Sequence, residues 1–569
     1  MATDCGEYIY SEEYRSYVIK YDGDLEGVNT IVEPDCVNII NSQFLVAYKK
    51  IEDFDDAYIY GYNSFPKCFG LMDITVVESV GVSGVRTLPG LELFGKDVLI
   101  GFVDTGIDYN NPLFIRANGE SKIEAIWDQN EENFTSVENS VFGYGGEYLK
   151  EDIERAFASD TPYDIVPTRD ENGHGTFLAS VAAGNINLEE GFSGIASEAS
   201  IVAVKLRNVK ENMREYMLIP DDVPCYSEDD IILGIKYLID KANSLNKPIV
   251  ICLGLGTSQG DHNGSTNLEL YIESISGLRG ICVVGCTGNE LGKAGHFLGE
   301  ENVSNHEIEI SVGDEDKGFV MEVWGRAPSL LELGILSPTG ERKGDIGGFG
   351  ERRTTLSFLY EGTEVVVDNF PVDENTGDSH MVIRFLNPGR GIWTIEVLDA
   401  LERGLDAWLP IEKFLNSRVS FVRPEPDTTL CSPATGRGII SVGGYNHRNN
   451  ALYINSGRGF TRDGLIKPDF VTAAVDVRGA FVSSGGASGM LLFTEKSGTS
   501  VSASITSGVV ALLLEWGLVR GNNPGMSTEV VRQLLIRGCT EVADINYPNK
   551  SWGWGALNIL ESFDAIRSS

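Results

Sequence analysis

Val98-Leu99-Ile100-Gly101-Phe102-Val103 is an unbroken apolar run that stops at Asp104-Thr105-Gly106-Ile107-Asp108. A strand that is apolar on both faces has no solvent side, which is the condition of an inner strand in a parallel sheet covered by helices. The carboxylate at its carboxyl end stands where open α/β sheets place their sites. Taken alone, Asp104 reads equally as a turn cap. The same signature recurs outward along the chain. Ile201–Val204, Pro248–Leu253, Gly280–Gly285 and Gly438–Gly444 are further buried-strand runs, and Ile231–Leu245 has the spacing of an amphipathic helix. Strands alternating with helices predict an α/β fold with a doubly wound parallel sheet.

The alternation breaks between residues 305 and 425. Short runs at Phe319–Trp324, Leu330–Leu336, Thr354–Tyr360, Thr363–Asp368, Met381–Leu386 and Gly391–Leu398 are separated by turn signals such as Asn387-Pro388-Gly389. That spacing predicts an all-β unit inserted into the α/β domain. Residues 1–86 read as a small α+β unit with strands at Asn38–Lys49 and Ile74–Glu78. Gly81–Gly90, punctuated by Gly and Pro, reads as an exposed linker. The expected divisions are 1–86, 87–304, 305–425 and 426–569.

The 569 residues carry 45 basic and 83 acidic side chains, a net charge of −38. Such a surface repels polyanions, so neither nucleic acid nor anionic membrane is an expected partner. No apolar run of about eighteen residues, the length a membrane helix needs, occurs in the chain. The start, Met1–Glu7, is acidic and polar, unlike a secretory signal. Nine cysteines are scattered from Cys5 to Cys539, several in apolar strand runs. They read as buried, reduced thiols made in a reducing compartment. Cys282 and Cys286 have no second pair beside them and no H-E-x-x-H occurs, so neither a metal nor a cofactor is expected.

Three further stretches carry chemistry. Asn172-Gly173-His174-Gly175-Thr176 precedes apolar residues at helical spacing, Phe177, Leu178, Val181 and Ala182, and Gly184 closes the segment. His174 thus opens a helix between two glycines. Ser497-Gly498-Thr499-Ser500 precedes Ile505–Leu514, which reads as a buried helix, and follows the Gly-rich run Gly485–Gly489. A hydroxyl in the first turn is held rigidly among N–H groups that have no helical partner. The run Gly280–Gly285 ends in Cys286-Thr287-Gly288-Asn289-Glu290. A serine hydroxyl is a poor nucleophile near neutral pH and needs a base. Histidine is poised for that, and a buried carboxylate fixes its tautomer. The side-chain N–H of Asn289 and the backbone N–H of Ser500 can meet a developing oxyanion. Asp104, His174 and Ser500 are the expected catalytic group, with Asn289 as oxyanion donor.

The order Asp, His, Ser and the contexts V-D-T-G-I-D, N-G-H-G-T, T-G-N-E and S-G-T-S resemble the subtilisin-like serine proteases, and no G-x-S-x-G elbow is present. The resemblance covers nearly the whole chain. Within that class, Gly391-Ile392-Trp393-Thr394-Ile395, Trp408-Leu409-Pro410, Ser456–Gly464 and Lys467-Pro468-Asp469 resemble the clostridial Csp germination proteases. The resemblance implies a subtilisin-like catalytic domain in two parts, 87–304 and 426–569, and a jelly roll at 305–425. It implies a prodomain at 1–86 that aids folding, is removed by self-cleavage at Arg86-Thr87 and stays bound in the cleft. It implies residence in the spore and a protein substrate there, a cortex-lytic zymogen activated by limited proteolysis during germination. Some family members have lost triad residues and act as pseudoproteases, so a signalling or binding role is the alternative. Gly254-Leu255-Gly256 matches the family's substrate-binding strand, with Gly254 where serine is usual, which leaves the shape of the S1 wall open. Ser504 stands where proline is usual and is expected to loosen the nucleophile's helix. His296 has a family counterpart and is expected to be structural.

Overall fold

Leu99–Asp104 lies in the middle of a nine-stranded sheet. The order across it is Ala451–Leu452, Ile440–Asn446, Ile281–Cys286, Ile249–Leu253, Leu99–Asp104, Ser200–Lys205, Ile123–Asp128 and Gly146–Leu149, with Phe470–Ala473 also paired to Ile440–Asn446. The inner pairs are parallel, and Gly146–Leu149 and Ala451–Leu452 add antiparallel partners. The structure is a computed structural model describing residues 5–51, 57–71, 80–131, 142–314, 316–399, 401–416, 418–482 and 491–568. The expected strand Ile74–Glu78 and the run Gly485–Gly489 lie outside these residues. Alternation along each strand feeds two cores. Ile249, Ile251 and Leu253 join the helices Glu228–Leu245 and Asn267–Ser276, while Val250 and Cys252 join His174–Ala183 and Thr499–Leu514. Every residue of Thr499–Leu514 is buried. By length and hydropathy Thr499–Val519 is apolar enough to cross a membrane, but it is 89% buried within the protein.

The inserted β unit is two facing antiparallel sheets. One runs His296–Gly299, Leu405–Trp408, Gly318–Gly325, His380–Leu386, Thr363–Phe370 and Arg353–Phe358. The other runs Arg342–Gly347, Leu331–Leu336, Gly391–Asp399, Asn305–Val312 and Val419–Phe421. Trp393, Phe385, Phe319 and Ile308 help fill the core between them. Arg462, from the α/β body, reaches into this unit and is buried there. Its guanidinium donates to Asp406 Oδ2 at 2.8 Å, to Asp378 Oδ2 at 2.5 Å and to the carbonyls of Trp324 and Gly325 at 3.2 and 2.7 Å. Burial alone raises the pKa of Asp406. The hydrogen bond from His296 and the charge of Arg462 outweigh it and hold the carboxyl well below the usual carboxylate range. Both ring nitrogens of His296 face acceptors, Asp406 Oδ1 at 3.1 Å and the Asp427 carbonyl at 2.7 Å, and the ring stacks on Trp408.

The N-terminal unit has three antiparallel strands, with Phe44–Lys50 between Tyr14–Lys20 and Cys36–Ile39, and a helix at Leu25–Ile31. The expected single strand Asn38–Lys49 is two strands, because Asn41 Oδ1 accepts the N–H groups of Gln43 and Phe44 and turns the chain. Cys5 and Cys36 form a disulfide, contrary to the expectation of reduced thiols throughout. The seven other cysteines are free. Lys210 Nζ donates to the carbonyls of Tyr8, Ser11 and Tyr14 at 3.0, 2.9 and 2.8 Å, docking the unit on the body. Tyr62 and Asn63 dock it on the β unit, donating to Glu322 at 2.7 Å and Asp373 at 2.8 Å. Gly81–Gly90 is an exposed linker only at its end, Pro89-Gly90. Val82–Thr87 is a helix whose Val82 and Val85 are buried, with Leu560 of the helix Ile559–Ser568 against Gly84. Apolar residues three apart outweigh the glycine punctuation there.

Removing Arg462 leaves Asp406 and Asp378 buried beside a vacated guanidinium site. Arg462→Ala is expected to cost about 3–5 kcal/mol. Arg462→Lys should recover little, because a single ammonium cannot fill a forked site. Urea unfolding followed by tryptophan fluorescence measures this, and an unchanged midpoint in Arg462→Ala would contradict the role given to the arginine.

Candidate active site

The strand Leu99–Asp104 and the helix His174–Ala183 meet at their functional ends. Asp104 Oδ1 lies 2.7 Å from His174 Nδ1 and also accepts the Thr105 N–H at 2.8 Å. Ser500 Oγ lies 3.4 Å from His174 Nε2. Residues 70 and 326 positions apart in the chain are thereby brought into one line. A carboxylate at Nδ1 keeps the proton there and leaves the Nε2 lone pair facing the hydroxyl. All three residues are buried, Ser500 at 0% exposure and the other two at 1%.

Ser500 is the second residue of Thr499–Leu514, so its N–H belongs to the turn that has no i−4 carbonyl. Asn289 sits beside that turn. Its Oδ1 accepts both the N–H and the hydroxyl of Thr499 at 3.2 Å, which leaves its NH₂ as the donor end. Close backbone approach makes the cluster possible. A Cβ on Gly175 would stand 2.2 Å from the Gly106 carbonyl and 3.3 Å from Asp104 Cβ.

One residue the sequence reading did not single out organises this junction. Asp170 accepts the Thr105 hydroxyl at 2.8 Å and the Gly173 N–H at 2.7 Å. Its other oxygen accepts the Thr176 N–H and hydroxyl at 2.9 and 2.6 Å. Thr105 in turn accepts the Gly175 N–H at 2.9 Å. An Asp shortly before a turn glycine is a common acceptor for the turn's free N–H groups and marked the position.

The two departures from the family pattern converge on Leu178. A Cβ on Gly254 would meet Leu178 Cδ1 at 2.5 Å and His174 Cε1 at 3.1 Å, so the glycine gives Leu178 and the histidine their room. Ser504 donates to the Leu178 carbonyl at 2.7 Å, and its helix runs unbroken from Thr499 to Leu514 instead of being loosened.

Leu255–Gly256 is a short strand, and its partner is the chain's own Cys68–Leu71. That segment pairs antiparallel with Leu255–Gly256 on one edge, Leu71 opposite Leu255 and Gly70 opposite Gly256. On its other edge it pairs with Tyr226–Ser227. Gly254 abuts the His174–Asp104 pair, so the antiparallel register sends the C-terminal end of Cys68–Leu71 toward it. Arg86 and Thr87 are not brought to Ser500. They lie within the helix Val82–Thr87, where Arg86 donates to the carbonyls of Gly194 and Ile195 at 2.5 and 2.9 Å. Ile195 packs at Gly508, two turns along the helix from Ser500 and about 12 Å away.

The Subtilase family, Peptidase_S8, matches the chain over residues 95–323 and 416–555, which include Asp104, His174, Asn289 and Ser500. The solved structure of the Clostridium perfringens CspB protease superposes with a TM-score of 0.75 at 31% identity, covering 86% of this chain and 96% of that one. Subtilisin from Bacillus sp. (strain TA39) is 29% identical over 143 residues, 25% of this chain and 30% of that protein. The subtilisin-like protease SBT3.8 of Arabidopsis thaliana is 24% identical over 465 residues, 74% of this chain and 56% of that protein. The chain thus spans less than two thirds of the length of either curated relative.

Replacing Asp170 orphans buried donors on both elements at once. Asp170→Ala is expected to cost about 3 kcal/mol of stability, and Asp170→Asn to retain part of it. Thermal unfolding of the two variants beside the parent chain measures this, and equal midpoints in all three would remove Asp170 from the account.

Proposed function

The chain belongs to the subtilase family, and we propose that it is a serine endopeptidase that cuts its own N-terminal segment and then keeps that segment as an inhibitor. The observation that carries this reading is the strand Cys68–Leu71, lying between Leu255–Gly256 and Tyr226–Ser227 with its C-terminal end directed at the catalytic pair. In the proposed reaction His174 Nε2 takes the proton of Ser500 as Oγ attacks the carbonyl of the bond beyond Leu71. The oxyanion is met by the Asn289 NH₂ and the Ser500 N–H. The imidazolium, steadied by Asp104, hands its proton to the leaving amine, and water then releases the acyl group by the same base. Attack within one chain has the advantage of a high effective concentration. The bond cut lies just C-terminal to Cys68–Leu71 in this reading, in place of Arg86–Thr87. The severed strand stays because it gains main-chain hydrogen bonds on both edges.

On this reading residues 1–71 and the cut that frees them constitute a prodomain, and the two-sheet insert is the jelly roll of the clostridial Csp proteases. The natural substrate is then a spore cortex-lytic zymogen, opened by limited proteolysis during germination, with the protein resident in the spore. The Csp-like motifs and the likeness to the CspB protease over most of both chains support this assignment. A second reading, a pseudoprotease-like signalling or binding protein, is favoured by the burial of Ser500 and His174 beneath the rest of the chain. A fluorophosphonate separates the two, since only an activated serine is labelled.

On denaturing gels the parent chain is expected to run as two pieces, the smaller ending just beyond Leu71 by intact mass, and Ser500→Ala as one. Two pieces from Ser500→Ala would point to a contaminating protease. Ser500→Ala and His174→Ala should each lower peptide turnover by on the order of 10⁶. Asn289→Ala should lower it by about 10²–10³ with the fold intact. A tenth of the activity surviving in Ser500→Ala would end the assignment.

A further inference from the structure

The strand in the cleft is walled on a third side by the β unit. A Cβ on Gly70 would stand 2.5 Å from Cδ1 of Ile411 and 3.4 Å from the ring of Phe414. Both side chains are themselves buried. The loop carrying them is fixed against the active site. Glu412 donates its N–H to Glu290 Oε2 at 2.9 Å and pairs through its carboxylate with Lys293 at 2.5 Å. Glu290 follows Asn289 directly, so the wall is referenced to the oxyanion turn. Neighbouring positions of the strand are treated differently. Phe69 is fully buried in the cluster that includes Tyr226 and Leu255, and the Cys68 N–H donates to Gln259 Oε1 at 2.9 Å.

We propose, resting on the reading of Cys68–Leu71 as a bound substrate strand, that Ile411 and Phe414 bar branched and larger side chains from the substrate position that pairs with Gly256, where glycine fits best. A longer side chain there has two courses. It displaces Ile411, or it lifts the peptide off Leu255–Gly256 and breaks the pairing. A single methyl can be met by rotating the end of Ile411, whereas a branched side chain also meets Phe414. The β unit thereby contributes to specificity without holding a catalytic group. The substrate class is an extended segment in which a large apolar residue is followed by glycine.

Self-cleavage of the full chain, timed on denaturing gels during in vitro translation, tests this. Gly70→Leu is expected to slow it at least about tenfold and Gly70→Ala by less than about threefold. Adding Ile411→Ala and Phe414→Ala to Gly70→Leu should restore most of the rate. Parent-like cutting by Gly70→Leu, or no restoration in the combined variant, overturns the proposal. A second arm uses uncut Ser500→Ala protein and the thermal midpoint. There Gly70→Leu should be less damaging when Ile411 is alanine than when it is isoleucine, and strict additivity overturns the wall without reference to catalysis. If the parent chain is neither cut nor labelled by a fluorophosphonate, the peptidase reading fails, and the additivity measurement still decides the wall.

Discussion

A single buried carboxylate, Asp170, ties the strand bearing Asp104 to the helix bearing His174. Helix starts and strand ends both leave backbone donors without partners. Here the helix-start N–H groups of Gly173 and Thr176 and the Thr105 hydroxyl beyond the strand end share one acceptor, so neither element can shift without orphaning a donor on the other. The 2.7 Å contact between His174 and Asp104 follows from this junction and from the absence of a side chain at Gly175. Thr499–Leu514 then packs against the His174 helix and the sheet, and carries Ser500 to the remaining ring nitrogen.

The parts of this fold that were legible in the sequence are those whose local pattern and final environment agree. Leu99–Asp104, Ile249–Leu253 and Ile281–Cys286 are apolar throughout because they are buried on both faces, and burial on both faces is what an unbroken apolar run reports. Gly146–Leu149 and Arg342–Gly347 were missed because they are short edge strands, and neither G-E-Y-L nor R-K-G-D-I-G carries a run of alternating apolar residues. Cys68–Leu71 is four residues with a glycine in the middle, and it becomes a strand only because two edges are waiting for it. The clustering of Asp104, His174, Asn289 and Ser500 was legible for the opposite reason: each stands in a short local context, and those contexts are contiguous in sequence. The disulfide was illegible, since nothing in nine scattered cysteines singles out Cys5 and Cys36 until the fold sets the start of the helix Gly6–Tyr10 beside the start of the strand Cys36–Ile39.

The insert and the body grip each other in both directions. Arg462 leaves the body and ends among the carbonyls and carboxylates of the β unit. Ile411 and Glu412 leave the β unit and end against the strand Cys68–Leu71 and the turn at Asn289-Glu290. Reciprocal insertion of this kind makes the two units one mechanical body, because parting them would strand a buried cation on one side and open a cavity on the other.

The cross-link between Cys5 and Cys36 lies wholly upstream of Cys68–Leu71. It holds the N-terminal unit together without holding it to anything else. While the backbone is continuous, occupancy of the cleft is a conformational equilibrium with no concentration in it. Were a peptide bond beyond Leu71 broken, nothing covalent among the described residues would join the two pieces, and occupancy would acquire a dissociation constant. Dilution would then favour an open cleft and high protein concentration a closed one, so a single cut would convert a property of one molecule into a property of its surroundings.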